Sequence, residues 1–315
     1  MTTAAAPASV VAPPRPRVVP LYLGVLVGFH LLLPIAFFPP FFTWWFPVYL
    51  LVGNFLFGSL GINLGYHRLL THRSAEFPKW LERTFVRLGV CCLETPPFRW
   101  VCIHRMHHQK SDVDGDPHSP TPKFWWGHMG WIYSEDPRMK SMFTYEKFIP
   151  DLLMDPWLRG LHKRNRWFRM YLAHVVLLLA IAAGVGYLVG GVDGLIAGTA
   201  QMFAWGIVAR TVYVWHITWL VNSAAHRWGY QNYDTKDRSR NTWWVAALTN
   251  GEGWHNNHHA APRSAAHGHR WWEVDLTYTF IRALAAVGLA KNVVPIAVPK
   301  QRQMEEATEP TRAAA

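Results

Sequence analysis

The chain has 315 residues, half of them hydrophobic, and a formal net charge of +11, so it is long enough for one sizeable domain or two small ones. A mean hydropathy near zero hides long apolar runs alternating with stretches dense in Arg, His and Trp; this excludes an evenly mixed soluble globule and fits a polytopic membrane protein with one large cytosolic face. The basic residues lie between and beside apolar runs, which argues against nucleic acid and for anionic headgroups, an acidic electron carrier or coenzyme phosphates as partners.

Residues 1–19 and 300–315 are expected to be disordered tails around one domain over 20–299, because their composition cannot bury a core. Apolar runs at about 21–38 and 41–62, separated by Pro39 and Pro40, read as two membrane spans, and no small-residue cleavage site follows the first. Thr84 to Leu93 is too short to cross and ends at Pro96 and Pro97, so it is expected in the interface or re-entering. Phe143, Phe148, Leu152, Leu153, Trp157 and Leu158, interleaved with charges, suggest helix on the membrane surface, as do residues 273–290. Two further spans, about 168–191 and 195–221, are joined by Gly190, Gly191 and Gly194. Neither inter-span turn carries Lys or Arg, whereas 68–166 is rich in both, which puts that region and both termini in the cytoplasm. Arg210, inside the fourth span, either pairs with neighbouring helices or meets a substrate headgroup. Cys91, Cys92 and Cys102 lack metal-type spacing and read as reduced packing residues.

Nine of the seventeen histidines fall into four tight groups: His67 and His72; His104, His107 and His108; His226; and His255, His258 and His259. The pattern His-x-x-His-His occurs twice, at 104–108 and 255–259, and on a helix its three imidazoles share one face. Asn222 and His226 are likewise one turn apart. Neutral imidazole suits iron, zinc, copper or nickel, so ligand type alone leaves the metal open. Nine histidines exceed the needs of one ion, and two ions beside hydrophobic spans suggest redox work on an apolar substrate, with iron and dioxygen leading. Glu252 and Asp116 are candidates to orient imidazoles by accepting their other ring hydrogen, with solvated loop carboxylates as the alternative. His118 and His128 lie outside the boxes and read as supporting residues rather than ligands.

At these boxes the sequence resembles the membrane fatty-acid desaturase family, in its acyl-CoA branch and without a fused haem domain. Trp100, Asp116-Pro117-His118, His128-Met129-Gly130-Trp131, Asn222 to His226 and Gly251-Glu252-Gly253-Trp254 carry the same resemblance. It implies an all-α integral membrane fold of four transmembrane helices in two hairpins, with a cytosolic helical cap holding a di-iron centre. The nine histidines would be ligands and Asn222 would act through a water; zinc is an alternative occupant of a purified site. The implied reaction is dioxygen-dependent desaturation of a saturated fatty acyl chain, as acyl-CoA or another acyl-lipid, to a cis-monounsaturated product. Electrons would come from a separate ferredoxin-like or cytochrome-like donor. Trp100 and Trp131 are candidate walls of the acyl tunnel, and Arg99 and Arg210 are further candidates for substrate contact. The expected location is an integral protein of a membrane such as the bacterial inner membrane, with the site facing the cytoplasm. A membrane di-iron hydroxylase is the nearest rival; a divalent-metal transporter fits less well, since transporter sites sit near the bilayer midplane.

Overall fold

The structure, a computed structural model, describes residues 17–299. Residues 1–16 and 300–315, expected as disordered tails, lie outside the described residues. Order already begins at Arg17: Glu135 N donates to Arg17 O and Val19 N donates to Tyr133 O, so residues 17–19 are pinned to the segment 133–135 rather than belonging to a tail.

Proline sets the starts of the first two helices. α1 (Pro20–Leu32) opens on Pro20, where the missing N–H costs nothing, and tightens into a narrower turn over Leu33–Phe37. The prolines at 39 and 40 hold the following residues in turns, so α2 (Phe46–Thr71) starts later than the expected 41. Nothing breaks it at Ile62, and it runs on to the histidines at its C-terminal end.

α3 (Lys79–Val90) packs along α2. Its buried face carries Leu81, Phe85, Val86 and Val90, while Arg83 and Arg87 project from it over the ring of Trp157 at 5.5 and 5.3 Å. Residues 84–93 are therefore the second half of an amphipathic helix and the turn after it. Two glycines allow the close contact: a Cβ on Gly61 would fall 2.5 Å from Gly89 N. α4 (Pro97–Lys110) completes the principal core with Phe98, Val101, Ile103 and Met106. Each fully buried side chain of this kind contributes about 1.5–3 kcal/mol.

Short helices α5 (Met142–Phe148), α6 (Pro150–Met154) and α7 (Pro156–His162) follow, where the sequence suggests surface helix. Asp155 caps α7 by accepting from Trp157 N and Leu158 N. Arg73 and Arg105 both donate to Asp151, tying this layer to the ends of α2 and α4.

α8 (Arg166–Gln201) doubles back at Gly190 and Gly191. Gly191 has φ +59 and ψ −141, a backbone conformation that disfavours a side chain, and the backbones of Gly186 and Gly194 touch across the reversal. The chain returns through Met202–Ala209 into α9 (Arg210–Ser223). By length and apolarity, three helical stretches among the described residues can cross a membrane: Pro20–Phe37, Phe46–Thr71 and Pro156–His226, the last containing the reversal.

α10 (Trp243–Leu248), α11 (His255–Ala260) and α12 (Leu276–Ala286) close the molecule over α2. Asn54 and Asn63 on α2 donate to Leu248 O and Thr249 O, and Asp275 caps α12 at Tyr278 N. These bonds bring 250–260 over the ends of α2 and α4.

Candidate metal centre and its cavity

His67 and His72 are five residues apart, which an ordinary α-helix would place about 140° apart around its axis. The last turn of α2 is wider: His72 N donates to His67 O, an i→i+5 bond, and both rings come to one side with centroids 4.8 Å apart. On α4, His104 and His108 face the same point while His107 faces its neighbour; α11 divides His258 from His255 and His259 in the same way. Both His-x-x-His-His helices therefore serve two adjacent sites.

The first group is His67, His72, His104, His108 and His258, and the second is His107, His226, His255 and His259; within each, one nitrogen per ring lies within 4.8 Å of the others. His67 Nε2 is 3.1 Å from His258 Nε2, which is 3.0 Å from His108 Nε2, itself 3.1 Å from His104 Nε2. In the second group His255 Nε2 lies 3.0 Å from His226 Nε2 and 3.1 Å from His259 Nε2. Imidazoles bound to one ion at about 2.0–2.1 Å present nitrogens at such spacings. The Nε2 atoms of His72 and His107 are buried without a protein partner.

Carboxylates fix which nitrogen is left over. Nδ1–H of His67 donates to Glu252 at 2.7 Å, His226 to Asp112 at 2.7 Å, His259 to Asp237 at 2.7 Å and His107 to Asp116 at 3.0 Å. Each Nε2 is then a bare lone pair aimed inward, the tautomer that binds a metal. Burial would raise the Asp116 carboxyl, but His107 and His118 hold it well below the usual carboxylate range, so it is an anion when it accepts. Burial also outweighed by His267, Arg68 and His67 leaves Glu252 ionised in the same way. Burial and neighbouring imidazoles push His104, His108, His255 and His258 well below the usual histidine range, which keeps them neutral. The residues present thus fit a pair of iron ions in donor type and geometry.

Sequence reasoning picks out Glu252 and Asp116 as orienting groups but misses Asp112 and Asp237, whose loops carry no pattern pointing at a histidine. It also misses Arg68, which donates twice to Glu252 and twice to Asp275, and His267, whose ring lies 4.4 Å from that of His258. The signal available for Arg68 is its place next to His67, beyond the expected end of the span.

A cavity adjoins both groups, with apolar walls from Ile62, Trp100, Ile103, Trp131, Trp219 and Val221, and with His67, His104, His118 and His255 also in its lining. Trp100 and Trp131 are therefore walls of the cavity, and Asn222 also lines it. Glu94, not singled out in the sequence, lines it too, accepting from Trp100 Nε1 at 3.2 Å, while its Oε1 is buried without a partner. Burial pushes the Glu94 carboxyl up to about 8, against hydrogen bonds from Thr218 and Trp100.

Three expected residues fall elsewhere. Arg210 does not reach the cavity: it is buried, donates to Cys91 O and Gly206 O, and lies 4.2 Å over the ring of Phe57, so it holds the end of α3 against α2 and α9. Arg99 lies over the ring of Tyr22 at 5.6 Å, outside the cavity lining. His128 bonds to Ser223 and His216 in a separate polar string. His118, by contrast, stacks on His107 at 4.3 Å, and its backbone N–H donates to Asp116. Cys91, Cys92 and Cys102 are buried free thiols, in keeping with packing residues.

Comparison with known proteins agrees with this geometry. The chain is 43% identical over 267 residues to the sn-1 stearoyl-lipid 9-desaturase of Anabaena variabilis, covering 85% of this chain and 90% of that one. It is 42% identical over 276 residues to the sn-2 palmitoyl-lipid 9-desaturase of a Nostoc species, covering 87% and 88%. An acyl-CoA 5-desaturase of Anemone leveillei is 42% identical over 246 residues, covering 78% and 71%. Residues 42–292 match the fatty acid desaturase family, and with nine histidines converging in two groups beside a cavity with apolar walls, the chain belongs to that family.

Proposed function

We propose that this protein introduces a cis double bond into a saturated fatty acyl chain carried on a membrane glycerolipid, using dioxygen and two iron ions held by the nine histidines. The observation that carries this is the convergence of nine ring nitrogens into two adjoining groups beside a cavity with apolar walls. In this reading His67, His72, His104, His108 and His258 hold one ion, His107, His226, His255 and His259 the other, and Asn222 acts on the second through a water. Iron with dioxygen supplies the oxidant that an unactivated methylene pair requires, since an alkyl carbon offers no group for acid–base chemistry.

The protein's own residues do the positioning. Ile62, Ile103 and Val221, with Trp100 and Trp131, make a dry wall that holds one stretch of chain against the histidines and keeps water from the reacting carbons. Asp112, Asp116, Asp237 and Glu252 accept from the Nδ1–H groups they face and so set, in His226, His107, His259 and His67, the tautomer that offers Nε2. A glycerolipid substrate and a bond at position nine are supported by the Anabaena and Nostoc relatives; acyl-CoA, the carrier implied by the sequence resemblance, is the second reading and is supported by the Anemone relative. We further infer four membrane crossings with the histidine cap and both termini on the cytoplasmic side, from the apolar stretches, the reversal at Gly190 and Gly191, and the basic 68–166 region.

The test is mass spectrometry of host lipids after expression with a competent electron donor, comparing the intact protein with His107→Ala. The intact protein is expected to give monounsaturated chains, two hydrogens lighter, first on glycerolipids, and the variant none. A product heavier by one oxygen would make the enzyme a hydroxylase, and no altered chain with iron bound would remove the proposal.

A further inference from the structure

The reaction proposed above needs two electrons from outside, and one face of the molecule is built to receive them. An open groove is lined by Tyr230, Trp243, Ala246, Trp254, Trp272 and Val274. Trp243, Trp271 and Trp272 are exposed at its edge, Trp271 at 95%. Exposed Arg270 lies over the rings of Tyr230 and Trp272, at 5.9 and 5.8 Å. Exposed Arg227 lies three residues before Tyr230 in the same turn. The carboxylates beneath are buried and engaged: Glu273 accepts from Tyr230 and Asn257, and Asp275 from Arg68. The outer rim is therefore aromatic, with the guanidinium of Arg270 as its charge.

The rings continue inward. Trp272 meets Tyr230 at 5.6 Å and buried Trp254 edge-to-face at 5.8 Å. Trp254 is held by its Nε1–H donating to Val274 O, and its next residue in the chain is His255, whose Nε2 belongs to the second histidine group. Tunnelling falls steeply with gap width, and this path has one ring-to-ring step followed by covalent bonds to a ligand imidazole.

We propose that this groove is the docking site for an acidic one-electron carrier protein, and that electrons enter through Trp272 and Trp254 to His255. The inference rests on the desaturase reading. Two reduced carriers each lose one electron per turnover. Those two electrons, two protons from water and the two hydrogens leaving the acyl chain reduce one dioxygen to two waters. Charge complementarity favours this occupant over a neutral apolar partner, because the Arg270 guanidinium on the rim steers an acidic protein and fixes its register.

The experiment uses the full-length enzyme in nanodiscs of neutral lipid and a plant-type [2Fe–2S] ferredoxin as probe. Binding is measured on metal-free enzyme by surface plasmon resonance. Arg270→Glu is expected to weaken it roughly tenfold and to flatten its salt dependence. Re-oxidation of pre-reduced ferredoxin by iron-loaded enzyme is followed at saturating ferredoxin by stopped flow. Trp272→Ala and Trp254→Leu are expected to slow it severalfold, while Trp254→Phe retains more of the rate and dithionite reduces all of them as it does the wild type. Unchanged binding by Arg270→Glu together with unchanged transfer through Trp272→Ala would overturn the proposal. So would a clear loss of brominated-lipid quenching when Trp271 and Trp272 are both replaced by Phe, which would give the groove to the bilayer. If the wild type accepts electrons and yet makes no alkene, the desaturase reading fails while the docking proposal is still decided by the variants.

Discussion

His107 can bind a metal through Nε2 only while Nδ1 keeps its proton, and Asp116 accepts that proton's hydrogen bond at 3.0 Å from inside a buried site. Replacing Asp116 by Asn preserves shape and removes the negative charge that makes Nε2 basic. Iron affinity is expected to fall about 10–100-fold, read as loss of iron to a competing chelator; retention equal to wild type would show that Asp116 is only a loop brace. Arg68 tests a different kind of dependence. It is 1% exposed between Glu252 and Asp275, so Arg68→Met leaves two buried carboxylates without their cation, and a stability loss of about 3–5 kcal/mol is expected. Glu94 gives a pH signature. Its carboxyl ionises near 4.5 in the unfolded chain and near 8 when folded, so between those values the folded state holds a proton that the unfolded state has lost. Stability should therefore fall as pH rises through that window, by up to about 1.4 kcal/mol per pH unit, and level off above it. Glu94→Gln should flatten this part of the melting-temperature profile. An identical slope in the variant would assign it to other groups. The nine histidines were legible because two copies of one spacing cannot easily arise by chance, whereas Asp112, Asp237, Glu94 and Arg68 act across contacts that no local spacing encodes.

At the scale of elements, the sequence pattern places helices well where their partners are lipid or water and less well where they touch each other. The apolar run is expected to end at 62, yet α2 continues to Thr71, where α3, α4 and α12 pack around it. The widened last turn is likewise invisible to a reading with a period of 3.6, and it is what brings His67 and His72 together. The contact of α2 with α3 depends on Gly61 and Gly89. Gly61→Ala should gain about 1 kcal/mol of helix propensity, but its Cβ would fall 2.5 Å from a backbone nitrogen that cannot swing aside. Overpacking of this kind costs about 1–3 kcal/mol, so the net expectation is a lower melting temperature in detergent, with metal lost earlier than in wild type as α2, which carries His67 and ends at His72, is pushed away from α3. A higher melting temperature would mean that the two helices separate without strain.

At the scale of the whole molecule, the stretch Pro156–His226 runs 71 residues, which as one straight helix would reach about 105 Å, more than three times the hydrocarbon thickness of about 30 Å. It therefore crosses twice or lies along the surface, and the reversal at Gly190 and Gly191 favours two crossings. Asp193 sits exposed just after that reversal, and Lys236 sits exposed in the segment that includes Asp237, the partner of His259. If the cap is cytoplasmic, these two positions lie on opposite sides of the membrane. The native thiols Cys91, Cys92 and Cys102 are all buried, which gives a low background for labelling. Asp193→Cys is expected to react with an impermeant maleimide on intact cells, and Lys236→Cys only after permeabilisation. Both variants should keep iron and desaturase activity, since neither touches the histidine groups or the cavity. Labelling of both from the same side would leave a single crossing or none in this stretch, and the histidines on α4 and α11 would then need another route to the same membrane face.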